Sequence, residues 1–169
     1  FTAVLLEEPG QRLLLASDAG YGFVARLEDL LSRNRAGKAV LSLPKNARPL
    51  PPCRLTEKDA DLLAAVTSQG RMLVFAVAQL PSLARGKGSK IVHIPAKKAA
   101  AREELLTHLA VFAPGSHLVV HAGRQHFTLK PGNIADFQGE RGRRGRALPR
   151  GFQKVERLEV VVPQQLTLL

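Results

Sequence analysis

The chain contains no tryptophan, one tyrosine, one methionine and one cysteine among 169 residues. The lone Cys53 excludes an internal disulfide and fits a reducing cytoplasm. Flanked by Pro52, Arg54 and Leu55, it reads as a small buried hydrophobe on a strand edge. No apolar run approaches the roughly 20 residues of a membrane-spanning helix, and no signal peptide is visible. Acidic residues are few and scattered, so no acid/base pair or metal-binding carboxylate cluster can be drawn. Tyr21 follows a turn glycine and reads as a strand aromatic rather than a nucleophile. Ser17, Asp18 and Ser68 fall in turns, where such side chains cap the backbone. No catalytic residue is assigned.

Acid is scarcer still in two long stretches. None lies between Asp29 and Glu57, nor between Asp61 and Glu103, whereas 25 Lys and Arg face 14 Asp and Glu overall, a formal net charge of +11. A solvated surface usually mixes the two signs. The excess points to a polyanion, nucleic acid or an anionic membrane surface.

A basic, glycine-bearing box occurs three times: Arg33 to Lys38, Ala84 to Lys90, and Arg141 to Arg146. Each follows two apolar runs broken at a glycine: Arg12–Ser17 and Tyr21–Leu27 around Gly20, Leu62–Thr67 and Arg71–Val77 around Gly70, Leu118–His121 and His126–Leu129 around Gly123. Glycine at these turns supplies the positive φ that a tight hairpin needs. Leu27–Leu31 and Val77–Pro81 predict short helical turns. Ala39–Pro44 and Lys90–Pro95 predict proline-terminated strands after the first two boxes. Arg48–Leu55 and Leu106–Phe112 predict a further strand per unit, Ala96–Glu104 a short exposed helix, and Val155–Val162 a last strand.

A period near fifty residues with four short strands per unit predicts an all-β, propeller-like disc of roughly three blades, about 1–55, 56–112 and 113–162, with a tail at 163–169. Three units are too few to close a full ring, and Phe1 falls inside a predicted strand, Phe1–Leu6. The expectation is a fragment of a longer polypeptide.

The boxes suit phosphate rather than base recognition. Glycine lets the backbone approach a phosphate, and Arg and Lys displace counterions. Candidate DNA contacts are Arg33, Arg35 and Lys38, then Lys45 and Arg48, then Arg85, Lys87 and Lys90, and finally Arg141, Arg143, Arg144 and Arg146. The seven Phe and one Tyr do not interleave the boxes, which argues against stacking on single strands. Gly86–Ser89 only partly resembles a nucleotide-binding phosphate loop, which needs fuller spacing ahead of a helix. His117, His121 and His126 cluster on one hairpin, yet no Cys accompanies them, nor any Asp or Glu before Asp136; they read as solvated strand histidines rather than zinc ligands.

Leu13–Val24 with Arg33–Ala39, Gly70–Leu73, Leu80–Pro81, Gly86–Gly88 and Gly139–Gly145 together resemble the gyrase A/ParC C-terminal β-pinwheel family over nearly the whole chain. The resemblance implies a disc whose blades exchange strands and whose basic rim binds and bends double-stranded DNA. It further implies a type II topoisomerase of the topoisomerase IV kind, using ATP and Mg²⁺ elsewhere in an A2B2 heterotetramer with a ParE-like ATPase subunit. Location at the DNA in the cytoplasm follows, with peripheral inner-membrane association also compatible. The gyrase consensus box Gln-Arg-Arg-Gly-Gly-Lys-Gly is spelled nowhere; Arg141–Gly145 comes near, and Arg85–Gly88 keeps half. That departure favours decatenation and relaxation over negative supercoiling. The alternatives are a gyrase-type wrapping domain, a basic propeller docking an acidic protein, and a binder of structured RNA.

Overall fold

The computed structural model describes residues 11–30, 40–55 and 61–162. Three antiparallel hairpins stand where the glycine turns place them: β1 (Arg12–Ala16) with β2 (Tyr21–Arg26), β4 (Leu62–Thr67) with β5 (Arg71–Ala76), and β8 (His117–Ala122) with β9 (Gln125–Leu129). Gly20, Gly70 and Gly123 have φ of 92°, 72° and 61°, the left-handed region that L side chains resist.

Each hairpin gains a third strand on its first member. β3 (Cys53–Arg54) joins β1, β7 (Leu106–Phe112) joins β4, and β11 (Arg157–Val161) joins β8. The fourth strand arrives from the following repeat. β6 (Ser89–Lys90) lies beyond the second hairpin yet pairs with β2, and β10 (Arg146–Ala147) lies beyond the third yet pairs with β5. The sheets therefore run β3-β1-β2-β6, β10-β5-β4-β7 and β11-β8-β9. Contiguous segments do not make blades; exchanged strands complete them.

Packing explains why the central hairpin is almost wholly apolar. Leu63, Ala65, Leu73 and Phe75 enter one buried cluster with Leu14, Ala16 and Val24 of the first sheet. Their alternates Ala64, Val66, Met72 and Val74 enter a second cluster with Leu118 and Val120 of the third. Successive side chains of a strand point to opposite faces, so a sheet buried on both sides reads as a continuous apolar run. Burying each Leu, Val or Phe contributes about 1.5–3 kcal/mol.

Five local expectations change. Of the predicted strand Ala39–Pro44, the described residues 40–44 form only a parallel bridge from Leu41 to Gly86. The predicted strand Arg48–Leu55 shrinks to β3, because Pro49, Pro51 and Pro52 carry no N–H for a ladder; Leu50 and Leu55 still donate to the Ala16 and Arg12 carbonyls. Of Lys90–Pro95 only Lys90 joins a ladder, while Ile91, Val92 and Ile94 turn into the first cluster. The exposed helix of Ala96–Glu104 is real only as α1 (Ala96–Ala100), and Glu104 beyond it is fully buried. Finally, Asp18 and Ser68 do not cap their own turns. Asp18 accepts the Arg48 N–H and pairs with Arg102 at 2.9 Å, and Ser68 Oγ accepts the Leu105 N–H. Asp18 thereby ties its repeat to the next through Arg102, whereas Ser68 ties together two parts of its own repeat.

Candidate nucleic-acid interface

The second and third boxes are held by the same set of bonds at equivalent places. Ser82 makes a parallel bridge to Val24 and Gln138 one to Val74, bringing each segment alongside the preceding hairpin. After each box the chain is pinned again: Ile91 N–H donates to the Gly20 carbonyl at 2.7 Å, and Leu148 N–H to the Gly70 carbonyl at 2.8 Å. Ile91 and Leu148 then bury their side chains, one in each core. A short polar loop with few contacts of its own is thus clamped at both ends by the core of the blade before it.

The glycines of the boxes serve this clamp. A Cβ on Gly88 would run into the Gly22 carbonyl, and one on Gly145 would lie 2.9–3.0 Å from the Met72 backbone. In Gly88 and Gly145 the close approach suggested by the sequence is to the neighbouring strand. The box backbone is therefore spent on blade exchange, and any contact to phosphate falls to the side chains.

Consecutive boxes also touch the same strap. Gly86 N–H donates to the Val40 carbonyl and the Gly86 carbonyl accepts from Ser42 N–H. Gly142 N–H donates to the Ile91 carbonyl and the Arg143 carbonyl accepts from His93 N–H, while Arg141 Nη1 donates to the Lys90 carbonyl at 2.8 Å. Each box thus lies along the segment that follows the previous box.

The candidate side chains separate into two groups. Lys45, Arg48, Arg85, Lys87, Lys90, Arg143 and Arg146 are exposed. Lys87 Nζ stands 4.4 Å from the centre of the Tyr21 ring, a cation–π contact that aims it without neutralising it. Arg143 lies 3.2 Å from Glu140, both well exposed, a pairing worth little in water. Arg141 and Arg144 are half-buried and turned to the protein. Arg144 Nη1 lies 2.7 Å from Glu104 Oε1 and donates to the His93 carbonyl at 3.0 Å. The contact with Glu104 is one of charge, since neither carboxylate oxygen has a well-aligned hydrogen-bond donor among the described residues. Arg33, Arg35 and Lys38 lie outside the described residues.

Glu104, Tyr21 and the exposed Lys97 and Lys98 of α1 also belong to this region, although no sequence motif places them there. The paired lysines are legible as charge; the partner of Glu104 is not. On the third sheet, a carboxylate distant in sequence reaches the histidines: Glu159 Oε2 accepts from His121 Nε2 at 2.9 Å, and the His121 and His126 rings are 5.7 Å apart. The Glu159 carboxyl is held below its ordinary value mainly by that hydrogen bond, with Arg157 adding attraction. Burial pushes the Cys53 thiol up, away from reactivity.

Comparison with known proteins agrees with this architecture. The family described as "DNA gyrase C-terminal domain, beta-propeller" matches residues 11–48 and 61–112, over half of the chain. The A subunit of DNA topoisomerase 4 from Pseudomonas aeruginosa is 49% identical over 165 residues, covering 98% of this chain and 22% of the relative. The Escherichia coli K12 protein of the same name is 48% identical over 162 residues, covering 96% and 21%. The chain thus spans about a fifth of the length of these curated relatives. Among solved structures, the E. coli ParC C-terminal domain superposes with a TM-score of 0.88 at 47% identity, covering 94% of this chain and 64% of that one. A gyrase A C-terminal domain, 14% identical, superposes with a TM-score of 0.68 over 91% of this chain and 50% of its own, a likeness of fold alone. Basic boxes clamped at equivalent places in strand-exchanged blades, and these matches, lead to one conclusion: the chain belongs to the DNA gyrase C-terminal β-propeller family.

Proposed function

We propose that this chain binds and bends duplex DNA without reading its sequence, as the C-terminal part of a topoisomerase IV A subunit. The supporting observation is the repeated clamp that anchors at equivalent places the loops bearing Arg85, Lys87 and Lys90 and bearing Arg143 and Arg146, all exposed. Arg33, Arg35 and Lys38, outside the described residues, repeat the basic pattern in the sequence, and the exposed Lys45 and Arg48 follow them in the chain. Such side chains contact phosphates, which position a duplex but carry no base information. Bending a site by 40–90° costs about 1–6 kcal/mol, and several phosphate contacts offset that.

In the whole enzyme the held segment is offered to the strand-passage core, for decatenation and relaxation driven by ATP with Mg²⁺ outside this chain. The proposed partners are the remainder of the A subunit and the ATPase B subunit, two of each. The family's DNA-cleaving tyrosine lies in the N-terminal region, so this chain supplies capture and not chemistry.

The test is electrophoretic mobility of the chain with linear duplexes of several sequences across a salt series. Similar affinity for all sequences and a steep loss with salt support the reading. Binding that ignores salt, or that prefers A-form RNA duplex, overturns it.

A further inference from the structure

One cleft stands apart from a flat phosphate-binding rim. It lies between the first two repeats, has a volume of about 360 Å³, and its lining includes Lys45, Lys87, Lys90, His93, Ile94 and Ala99. No Asp or Glu lines it. Nor does any carboxylate pair with these three lysines among the described residues. Three lysines therefore share the lining with the apolar residues Pro44, Ile94 and Ala99, and no carboxylate is among them. Lys87 is braced over Tyr21, itself part of the lining, so at least one of the three is positioned in advance.

The shape decides what fits. Small-molecule sites run about 300–1,000 Å³ and combine an apolar wall with a few convergent polar groups. This cleft is at the small end of that range. A duplex can rest a phosphate on its mouth but cannot fill it. An apolar wall of Ile94, Ala99 and Pro44 gives a bare inorganic ion nothing to cover. A compact ligand with two or more negative charges at one end and a flat, weakly polar body at the other satisfies both sides.

We propose that this cleft is a binding site for a small polyphosphate carried on a flat, weakly polar body, a nucleoside polyphosphate being the simplest example. Occupancy neutralises Lys45, Lys87 and Lys90, three of the cations proposed to contact DNA, so ligand and duplex compete. The site is defined without DNA, and its test needs none.

Calorimetric titration of the chain with inorganic tripolyphosphate, thymidine 5′-triphosphate and thymidine, at constant ionic strength, reads the site directly. The expected result is saturable one-to-one binding, tightest for the nucleotide and undetectable for thymidine. Lys45→Ala should weaken it about tenfold, the loss of one charge-assisted contact of roughly 1.4 kcal/mol. Lys154→Ala, an exposed cation absent from the cleft lining, should leave it unchanged. Binding that does not saturate, or that falls equally in the two variants, overturns the site. Equal affinity for tripolyphosphate and the nucleotide overturns the role of the apolar wall. Loss of nucleotide binding with duplex binding intact, or the reverse, separates this site from the DNA reading.

Discussion

Arg144 and Glu104 meet as an ion pair across the two blades, Nη1 standing 2.7 Å from Oε1, the carboxylate wholly buried and the guanidinium about one-third exposed. A residue of the third basic box is thereby committed to the fold. Breaking a buried pair by removing one partner costs about 3–5 kcal/mol, because the other charge stays behind unpaired. Arg144→Ala should therefore lower the chemical denaturation midpoint sharply. Replacing both partners together, as Glu104→Leu with Arg144→Met, should recover much of the loss. A variant Arg144→Ala as stable as the parent but weaker on DNA would return Arg144 to the phosphate contacts.

Arg85 and Lys87 behave oppositely, because both are exposed and neither pairs with a carboxylate among the described residues. Changing both to Ala should leave the melting temperature nearly unmoved. Duplex affinity should fall for all sequences alike, and the slope of log K against log salt should drop by roughly 0.9 per lost contact. Salt titration of the double variant checks this. An unchanged slope with unchanged affinity removes the second box from the interface.

Gly70 carries two constraints at once. Its φ is 72°, and a Cβ would lie 2.5 Å from Gln153 Cα, a backbone atom of the following repeat that cannot swing aside. Strain at positive φ alone costs about 1–3 kcal/mol for a bulky residue, and the collision adds to it. Gly70→Val should destabilise the chain by more than that strain. Gly123→Val, where no atom lies within 4 Å of the added Cβ, should show the strain alone. Equal melting of the two variants would mean that the Gly70–Gln153 approach is not rigid.

The contrast between these residues shows what is legible in the chain. Hairpins announce themselves because a propeller blade is buried on both faces: Leu62–Thr67 is a long apolar run ended by a turn glycine. The boxes are visible as charge and repetition. Their exchanged strands are not, since Ser89–Lys90 and Arg146–Ala147 are two residues long, polar and paired with another repeat. No local pattern encodes such a partner. The role of Gly88 is hidden for the same reason: its need for a missing side chain comes from Gly22, not from a ligand. Glu104 looks like the end of an exposed helix because its counter-charge arrives with the third box.

Glu159 is a surface carboxylate with a lowered pKa, its hydrogen bond from His121 being the main cause. A depressed folded-state value contributes stability above the ordinary glutamate range of about 4–4.5 and loses it as pH falls through the lowered value. Glu159→Gln should therefore melt below the parent at neutral pH and converge with it in acid. Melting temperatures of both proteins from about pH 7 to pH 3 test the sign. A gap that widens on acidification contradicts the pairing.

The consequence for the whole enzyme follows from how the charges are held. On the proposed reading, side chains on the clamped loops hold a DNA segment, and none of the boxes spells Gln-Arg-Arg-Gly-Gly-Lys-Gly. Under the proposed function, the chain joined to a topoisomerase IV cleavage-reunion core and B subunit should raise decatenation and relaxation of positive supercoils without producing net negative supercoils. Removing it should leave cleavage and strand passage in place, since no catalytic group is assigned to this chain, and should reduce selectivity among crossings. The measurement compares topoisomers made by complete and truncated enzyme from relaxed plasmid with ATP. Because plectonemic crossings of opposite hand present different angles to the captured segment, the complete enzyme alone should distinguish them. Negatively supercoiled product from the complete enzyme would place the domain with the gyrase type instead.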